Sequence, residues 1–263
     1  METEVFDIVL LALIQGVTEF LPISSSGHLV IGQILIGPGQ PDLQLTIVLH
    51  MGTLLAIVTY YCRDLVALVR PGNRRVLFLV IFGTLPIIIA GVMLRGVVAE
   101  NFQHLWFTAA GLGATGIMLI FLHNEDAGLT GLNDMNSATA LTIGFFQCLA
   151  IVPGVSRSGS TIAIATRLGM TPDAAATYTF FLAIPAIAGA GIACFTKAAP
   201  AEEMTDIATV SLPLQAVGFV VSFGVGLLAL ILLLKILKRG NLHYFGYYCL
   251  TLSVAIFIIE FAR

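Results

Sequence analysis

Charged residues are scarce in this sequence. Only 10% of the 263 residues are charged, whereas 58% are hydrophobic and the mean hydropathy is +0.99. A water-soluble domain has roughly a quarter of its residues charged, because those side chains cover its surface. The scarcity excludes an ordinary soluble domain and predicts that lipid surrounds most of the protein. The sequence also has no basic tract, so nothing indicates nucleic acid as a partner.

Cysteine patterns typical of metal sites are also missing. The four cysteines stand singly in apolar surroundings, without a CxxC or related spacing. No motif indicates an organic cofactor. The first residues include Glu2 and Glu4, whereas a cleaved signal peptide begins with positive charge, so no cleaved leader is expected.

Long apolar runs dominate the chain. A helix needs about 20 mainly apolar residues to cross the hydrocarbon core. Two regions, Val5–Leu21 and Ser137–Val152, are interrupted by polar residues and continue only briefly after a Gly-containing break, which is typical of re-entrant helix–loop–helix pairs. The predicted fold is therefore an all-α polytopic membrane protein with two re-entrant pairs and six transmembrane helices. Those six are, approximately, Gln44–Tyr61, Val76–Leu94, Leu105–Leu122, Ala174–Phe195, Leu212–Leu234 and Tyr244–Phe261.

Arginine and lysine predict the orientation, because cytoplasmic loops carry an excess of both. Four full spans separate the two basic loops, so the loops lie on one side if the second short pair returns to the side it entered from. The basic loops are then cytoplasmic, and both termini are extracytoplasmic. The basic residues are Arg63, Arg70, Arg74 and Arg75 in the first loop, and Lys235, Lys238 and Arg239 in the last.

The two short pairs resemble each other. Each is followed by three full spans, and because three is odd the second copy enters from the opposite face. The sequence therefore predicts a single membrane domain over residues 1–263, with a first repeat over 1–131 and a second, inverted repeat over 132–263. In such repeats, broken helices meet near the midplane and form a site. A shift of 132 residues aligns Gln15 with Gln147, Ser24 with Ser156, Ser26 with Ser158 and Gly27 with Gly159.

The first short pair carries acid, hydroxyl and imidazole groups around a break at Pro22, which ends its helix. The serines that follow can cap the next helix, whose N-terminus attracts anions. A buried acid costs about 2.5–3.5 kcal/mol in a bilayer, so Glu19 is expected to face a cavity. With Ser25 and His28 it forms a candidate set of nucleophile, base and orienter. The alternative is that the serines are only caps and that Glu19 is an interfacial acid or a satisfied buried acid.

The second short pair breaks at Pro153 and Gly154 and carries Arg157 amid apolar residues. A guanidinium fits phosphate oxygens in a bidentate fork. The alternative is a structural ion pair with Glu19, and the two interpretations can coexist. An anion channel would have little use for an acid that repels its cargo, so the combination favours phosphate chemistry. The other four histidines, including His50, are predicted to occupy loop or core positions.

The segments Gln15–His28 and Gln147–Thr161 resemble the signatures of bacterial undecaprenyl-diphosphatases of the bacitracin-resistance type. The similarity covers nearly the whole chain. It implies a homodimeric enzyme of the bacterial cytoplasmic membrane. That enzyme removes one phosphate from undecaprenyl diphosphate, a polyprenyl lipid, at the extracytoplasmic face. This reaction recycles the lipid carrier for peptidoglycan synthesis.

The resemblance also implies the site residues. The predicted catalytic residues are Glu19, Ser25, His28 and Arg157, with the nucleophile either Ser25 or His28. A divalent cation, Mg or Ca, on Glu19 stays open, because Gln15 stands where many members carry Glu. The predicted substrate-binding residues are Gln15, Ser24, Ser26, Gly27, Ser156, Ser158, Gly159 and Thr161.

A transporter or flippase for polyprenyl phosphate is the rival hypothesis. Inverted repeats with broken helices at the midplane are typical of secondary transporters, so the architecture alone does not separate the two functions. One protein could also carry both activities.

Overall fold

A computed structural model describes residues 2–36, 43–70, 74–101, 104–122, 128–195 and 210–262. Within these residues the protein is helical and has no β-strand, which confirms the predicted all-α class. The helices are α1 (Glu2–Phe20), α2 (Ser25–Ile36), α3 (Leu43–Tyr60), α4 (Cys62–Leu68), α5 (Arg74–Asn101), α6 (Leu105–Phe121), α7 (Ser137–Cys148), α8 (Arg157–Arg167), α9 (Pro172–Phe195), α10 (Leu212–Leu237) and α11 (His243–Phe261).

The described helices include four that are long and apolar enough to cross a membrane, in α5, α9, α10 and α11. A fifth is added if α3 and α4, which are bent by 74° against each other, are taken as one span. Helix α6 has 17 residues, a length of about 26 Å at 1.5 Å per residue, shorter than the hydrocarbon core. The protein is thus a multi-pass membrane protein with four or five candidate spans among the described residues, against six expected.

Helices α7 and α8 leave from and return to the same end of the bundle. The backbone N–H of Thr130, before α7, donates to the carbonyl of Gly169, just after α8, at 3.0 Å. The N–H of Thr171 donates back to the carbonyl of Thr130 at 3.0 Å. Because these bonds join the entry and exit of the pair, the chain turns back between the two helices.

The two basic loops lie at this same end. Arg75 donates to the carbonyl of Met135, just before α7, at 2.6 Å. Lys238, after α10, lies 3.4 Å from the carboxylate of Asp173 at the start of α9. The contacts connect both basic loops to the segments that flank α7 and α8, so the basic residues share one face of the bundle.

Glycines allow the helices around the centre to approach closely. A Cβ on Gly144 of α7 would collide with the backbone of Gly83 in α5. A Cβ on Gly116 of α6 would lie 2.8 Å from the carbonyl oxygen of Gly246 in α11. Small residues at crossings are typical of membrane helices, where close backbone packing replaces the hydrophobic effect between helices.

We expect Gly144→Ala to lower the apparent melting temperature of the purified protein in detergent. The added methyl group would push α7 away from α5, and overpacking of this kind typically costs about 1–3 kcal/mol. Gly224→Ala in α10 is the matched control, since its Cβ would have nothing within 4 Å. Equal melting temperatures for the two variants would contradict the close crossing of α5 and α7.

Candidate active site

The first break lies between α1 and α2. Ser24 stands just before α2 with a φ of 71°, in the left-handed region that non-glycine residues seldom adopt. Its hydroxyl accepts a hydrogen bond from the N–H of Gly27 at 3.2 Å and so caps α2, as predicted. Strained backbone of this kind persists where the surrounding structure holds it, often at functional sites.

The second break lies between α7 and α8. A 3-10 turn over Leu149–Ile151 follows α7, and Gly154 then takes a φ of 92°. The hydroxyl of Ser156 accepts from the N–H of Gly159 at 3.0 Å and caps α8. Residues aligned by the shift of 132 therefore make the same capping contact in both breaks.

The two breaks touch each other. A Cβ on Gly27 would lie 3.0 Å from the Cα of Gly154, a tight contact that would push the two breaks apart. The hydroxyl of Ser158 donates to the carbonyl of Leu21, in the first break, at 3.3 Å. Segments far apart in sequence thus form one polar centre between apolar helices.

Thr115 of α6 stabilises the second break. Its hydroxyl accepts from the N–H of Ser156 at 2.8 Å and donates to the carbonyl of Gly154 at 2.9 Å. The bend leaves both groups without a helical partner, and an unpaired buried backbone group is costly. Nothing in the sequence singles out this residue, because a threonine inside an apolar helix gives no local signal.

Glu19, whose side chain is only 2% exposed, lies at the centre of the site. Its Oε2 accepts from the hydroxyl of Ser25 at 2.6 Å and from the amide of Gln15 at 3.0 Å. Its Oε1 forms an ion pair with the guanidinium of Arg157. The predicted acid, hydroxyl and guanidinium therefore meet in one contact network that joins both breaks.

His50 of α3 also contacts this centre, with its Nε2 3.5 Å from Oε2 of Glu19. The Nδ1 lies 2.7 Å from the carbonyl of Thr46. Because a carbonyl only accepts, Nδ1 carries the proton and Nε2 faces the carboxylate. The sequence predicts a loop or core position for His50. The packing of α3 against α1 instead brings its ring next to Glu19.

A cavity of about 290 Å³ opens at the contact between the breaks. Its lining is partly polar and partly apolar. Seven predicted site residues line it: Glu19, Ser24, Ser25, Ser26, Ser156, Arg157 and Ser158. Its other lining residues include His50, Gln147 and the apolar Ile87, Ala150, Ile151, Ala186 and Ile187.

The other five predicted site residues do not line this cavity. Gly27 and Gly159 belong to the helix caps, Gln15 bonds to Glu19, and the hydroxyl of Thr161 donates to the carbonyl of Arg157 at 2.7 Å.

His28 is the fifth. Its Nδ1 lies 2.8 Å from the carbonyl of Ser24, and its Nε2 lies 2.7 Å from the hydroxyl of Tyr248 in α11. The structure brings Ser25 to Glu19 and does not bring His28 to Ser25.

The site offers oxygen ligands for a divalent cation. Gln15 contacts Glu19 through its amide nitrogen, and its buried Oε1 has no hydrogen-bond partner among the described residues. Those residues contain no cluster of three or more His, Cys, Asp or Glu that could hold a metal alone. Magnesium is commonly bound by one or two protein oxygens together with water and substrate phosphates, and this pair of side chains fits that mode.

Comparison with known proteins gives a consistent result. Residues 8–255 match the family described as bacitracin resistance protein BacA. The undecaprenyl-diphosphatase of Methanosphaera stadtmanae is 34% identical, over 98% of this chain and 98% of its own. That of Rhodopirellula baltica is 35% identical over 98% of both chains. That of Desulfosudis oleivorans is 37% identical over 93% of this chain and 94% of its own.

We expect Thr115→Val to lower both the melting temperature and the catalytic activity. The variant leaves the N–H of Ser156 unpaired in the interior, at about 1–3 kcal/mol, and loosens the start of α8. Thr115→Ser keeps the hydroxyl and should retain both properties. Thermal unfolding in detergent with a parallel activity assay tests this, and wild-type behaviour of Thr115→Val would contradict it.

Proposed function

The chain belongs to the bacitracin resistance protein BacA family, and we propose that it is a membrane phosphatase that hydrolyses undecaprenyl diphosphate to undecaprenyl phosphate and inorganic phosphate. One observation carries the proposal: the Ser25 hydroxyl donates to Glu19 beside Arg157, in a cavity between two helix starts. The reaction would return the lipid carrier to cell-wall synthesis.

Arg157 and the helix starts bind the phosphates in this proposal. The side chain of Arg157 is 19% exposed and lines the cavity, so its free donors can reach a phosphate while Glu19 balances its charge. The first turns of α2 and α8 border the same cavity, and helix N-termini attract anions. Positive groups held in place also stabilise the charge that spreads over the phosphoryl oxygens in the transition state.

Ser25 is the nucleophile that the geometry supports best. Its oxygen attacks the terminal phosphorus, its proton passes to Glu19 at 2.6 Å, and the bond from phosphorus to the bridging oxygen breaks. Undecaprenyl phosphate leaves with the bridging oxygen. Water then attacks the phosphorus of the phosphoserine, the proton held by Glu19 returns to the Ser25 oxygen as the bond from phosphorus to that oxygen breaks, and inorganic phosphate leaves with the oxygen of the water.

His28 acts as a positioning residue in this mechanism. Its ring bonds to the carbonyl of Ser24 and to Tyr248, so it supports the strained turn that aims Ser25. The direct roles predicted for it, base or nucleophile, would need its side chain to reach the cavity.

A divalent cation, Mg or Ca, would be held by Glu19 and by Oε1 of Gln15, together with phosphate oxygens of the substrate. It would supply positive charge to the phosphates. The other site residues keep the roles that this mechanism gives them.

The membrane arrangement is part of the proposal. Six spans with two re-entrant pairs in an inverted repeat are supported by the matching caps in the two breaks and by the return of α7 and α8 to one end. With the basic end in the cytoplasm of a bacterium, the cavity would open to the extracytoplasmic face. A homodimer stays a prediction from the family resemblance.

We expect Arg157→Ala and Glu19→Ala to lower phosphate release from prenyl diphosphate by at least about 100-fold, because each removes a charged group from the reacting centre. Arg167→Ala is the matched control, since Arg167 lies exposed at the other end of α8. Melting temperatures show whether each variant folds. Near-normal turnover of Arg157→Ala would overturn the site assignment.

Detergent-purified protein without any gradient separates a phosphatase from a transporter. The phosphatase releases inorganic phosphate from undecaprenyl diphosphate under these conditions, and the transporter does not. Absence of release from folded wild-type protein, with and without added Mg, would overturn the proposed function.

We expect Gln15→Glu to lower the Mg concentration that gives half-maximal activity, because a second carboxylate beside Glu19 attracts a cation more strongly. Phosphate release is measured in a Mg titration after chelator treatment, with wild type in parallel. An activity that chelator leaves unchanged in both proteins would contradict the cation site.

A further inference from the structure

Gln147 has no role in the mechanism so far, yet it lies on the cavity. It stands in the last turn of α7, is 0% exposed and contributes to the cavity lining. Neither its amide nitrogen nor its amide oxygen has a hydrogen-bond partner among the described residues. Buried polar groups in proteins are nearly always paired, so an unpaired amide beside a cavity calls for an explanation.

Gln15 shows how the same side chain behaves when its amide nitrogen is paired. It stands at the aligned position in α1, and its amide nitrogen donates to Glu19 at 3.0 Å and reaches Thr53 at 3.3 Å. Gln147 stands equally far in sequence from its own capping serine, Ser156, and has none of these bonds. Because an apolar residue of equal size would pack more favourably at Gln147, packing does not account for the amide.

The neighbours of Gln147 on the cavity surface are apolar. Ala150 and Ile151, one turn further along the chain, line the cavity, and so does Ile87 of α5. Ile87 lies one turn beyond Gly83, which packs on Gly144, one turn before Gln147. The hydroxyl of Ser25 and its partner Glu19 line the same cavity from α2 and α1. The prenyl tail of a substrate favours apolar surroundings, so a diphosphate whose terminal phosphorus faces Ser25 would direct its lipid-linked phosphate towards the apolar residues around Gln147.

We propose that Gln147 binds the lipid-linked phosphate of the substrate through its amide N–H donors, an inference that rests on the proposed phosphatase function. An amide offers two donors without charge. It would hold the phosphate that stays on the lipid and becomes the leaving group, while Arg157 holds the phosphate that is transferred. The prenyl monophosphate product keeps this contact, and inorganic phosphate does not use it.

The decisive variant is Gln147→Met, which keeps length and removes the donors. We expect the KM for prenyl diphosphate and the inhibition constant of prenyl monophosphate to rise about tenfold, the effect of one hydrogen bond to a charged group. Inhibition by inorganic phosphate should stay unchanged. The melting temperature without substrate should be equal or higher, because the unpaired amide is gone.

Thr108→Val is the matched control. The hydroxyl of Thr108 is also buried without a partner among the described residues, but it does not line the cavity. Its replacement should raise the melting temperature similarly and leave both constants unchanged. If Gln147→Met fails to fold, Gln147→Glu decides, since its carboxylate would repel the phosphate and weaken monophosphate inhibition by more than tenfold.

The outcomes separate this inference from the function on which it rests. The role of Gln147 is overturned if folded Gln147→Met, or Gln147→Glu where that variant is needed, has an unchanged KM and unchanged monophosphate inhibition. Phosphate release by the wild type would still support the phosphatase in that case. Wild-type protein without phosphate release would overturn both. Equal weakening of monophosphate and inorganic phosphate would also overturn the assignment, because Gln147 would then contact the transferred phosphate.

Discussion

The ion pair between Glu19 and Arg157 joins the two halves of the protein. Each charge follows or precedes a break in a helix, and each lies in an apolar environment where an unpaired charge is strongly unfavourable. Meeting at one point satisfies both charges and brings the start of α2 against the start of α8. Much of the site geometry follows from this contact, because it brings Ser25 at the start of α2 to Glu19 and leaves the cavity open beside them.

Backbone groups around the breaks have to be paired as well, because lipid offers them no hydrogen bonds. The capping serines satisfy the N–H groups at the two helix starts, and Thr115 satisfies the bend before α8. Glycines at the contact between the breaks let the backbones touch. The irregular backbone is thus enclosed by protein and its polar groups are paired there, so side chains such as Ser25 can interact with a ligand.

The sequence predicted the local features of the site well. Pro22 and Pro153 indicated breaks, and the structure has both. The capping roles of Ser24 and Ser156 are confirmed by their hydrogen bonds. The span number stays a prediction, since six were expected and four or five qualify among the described residues. The 17 residues of α6 are close to the shortest length that spans a bilayer, and hydropathy along a sequence does not define where a helix ends.

By itself, the sequence determined that the chain enters a membrane, where its helices break, and which rare polar residues need a function. These properties follow from composition and from neighbours within one or two turns. Only the tertiary structure decided that Ser25 contacts Glu19, that His28 bonds to Tyr248, and that His50 and Gln147 border the cavity. Those contacts depend on how distant helices pack, and the spacing of residues within one helix carries no information about its partner.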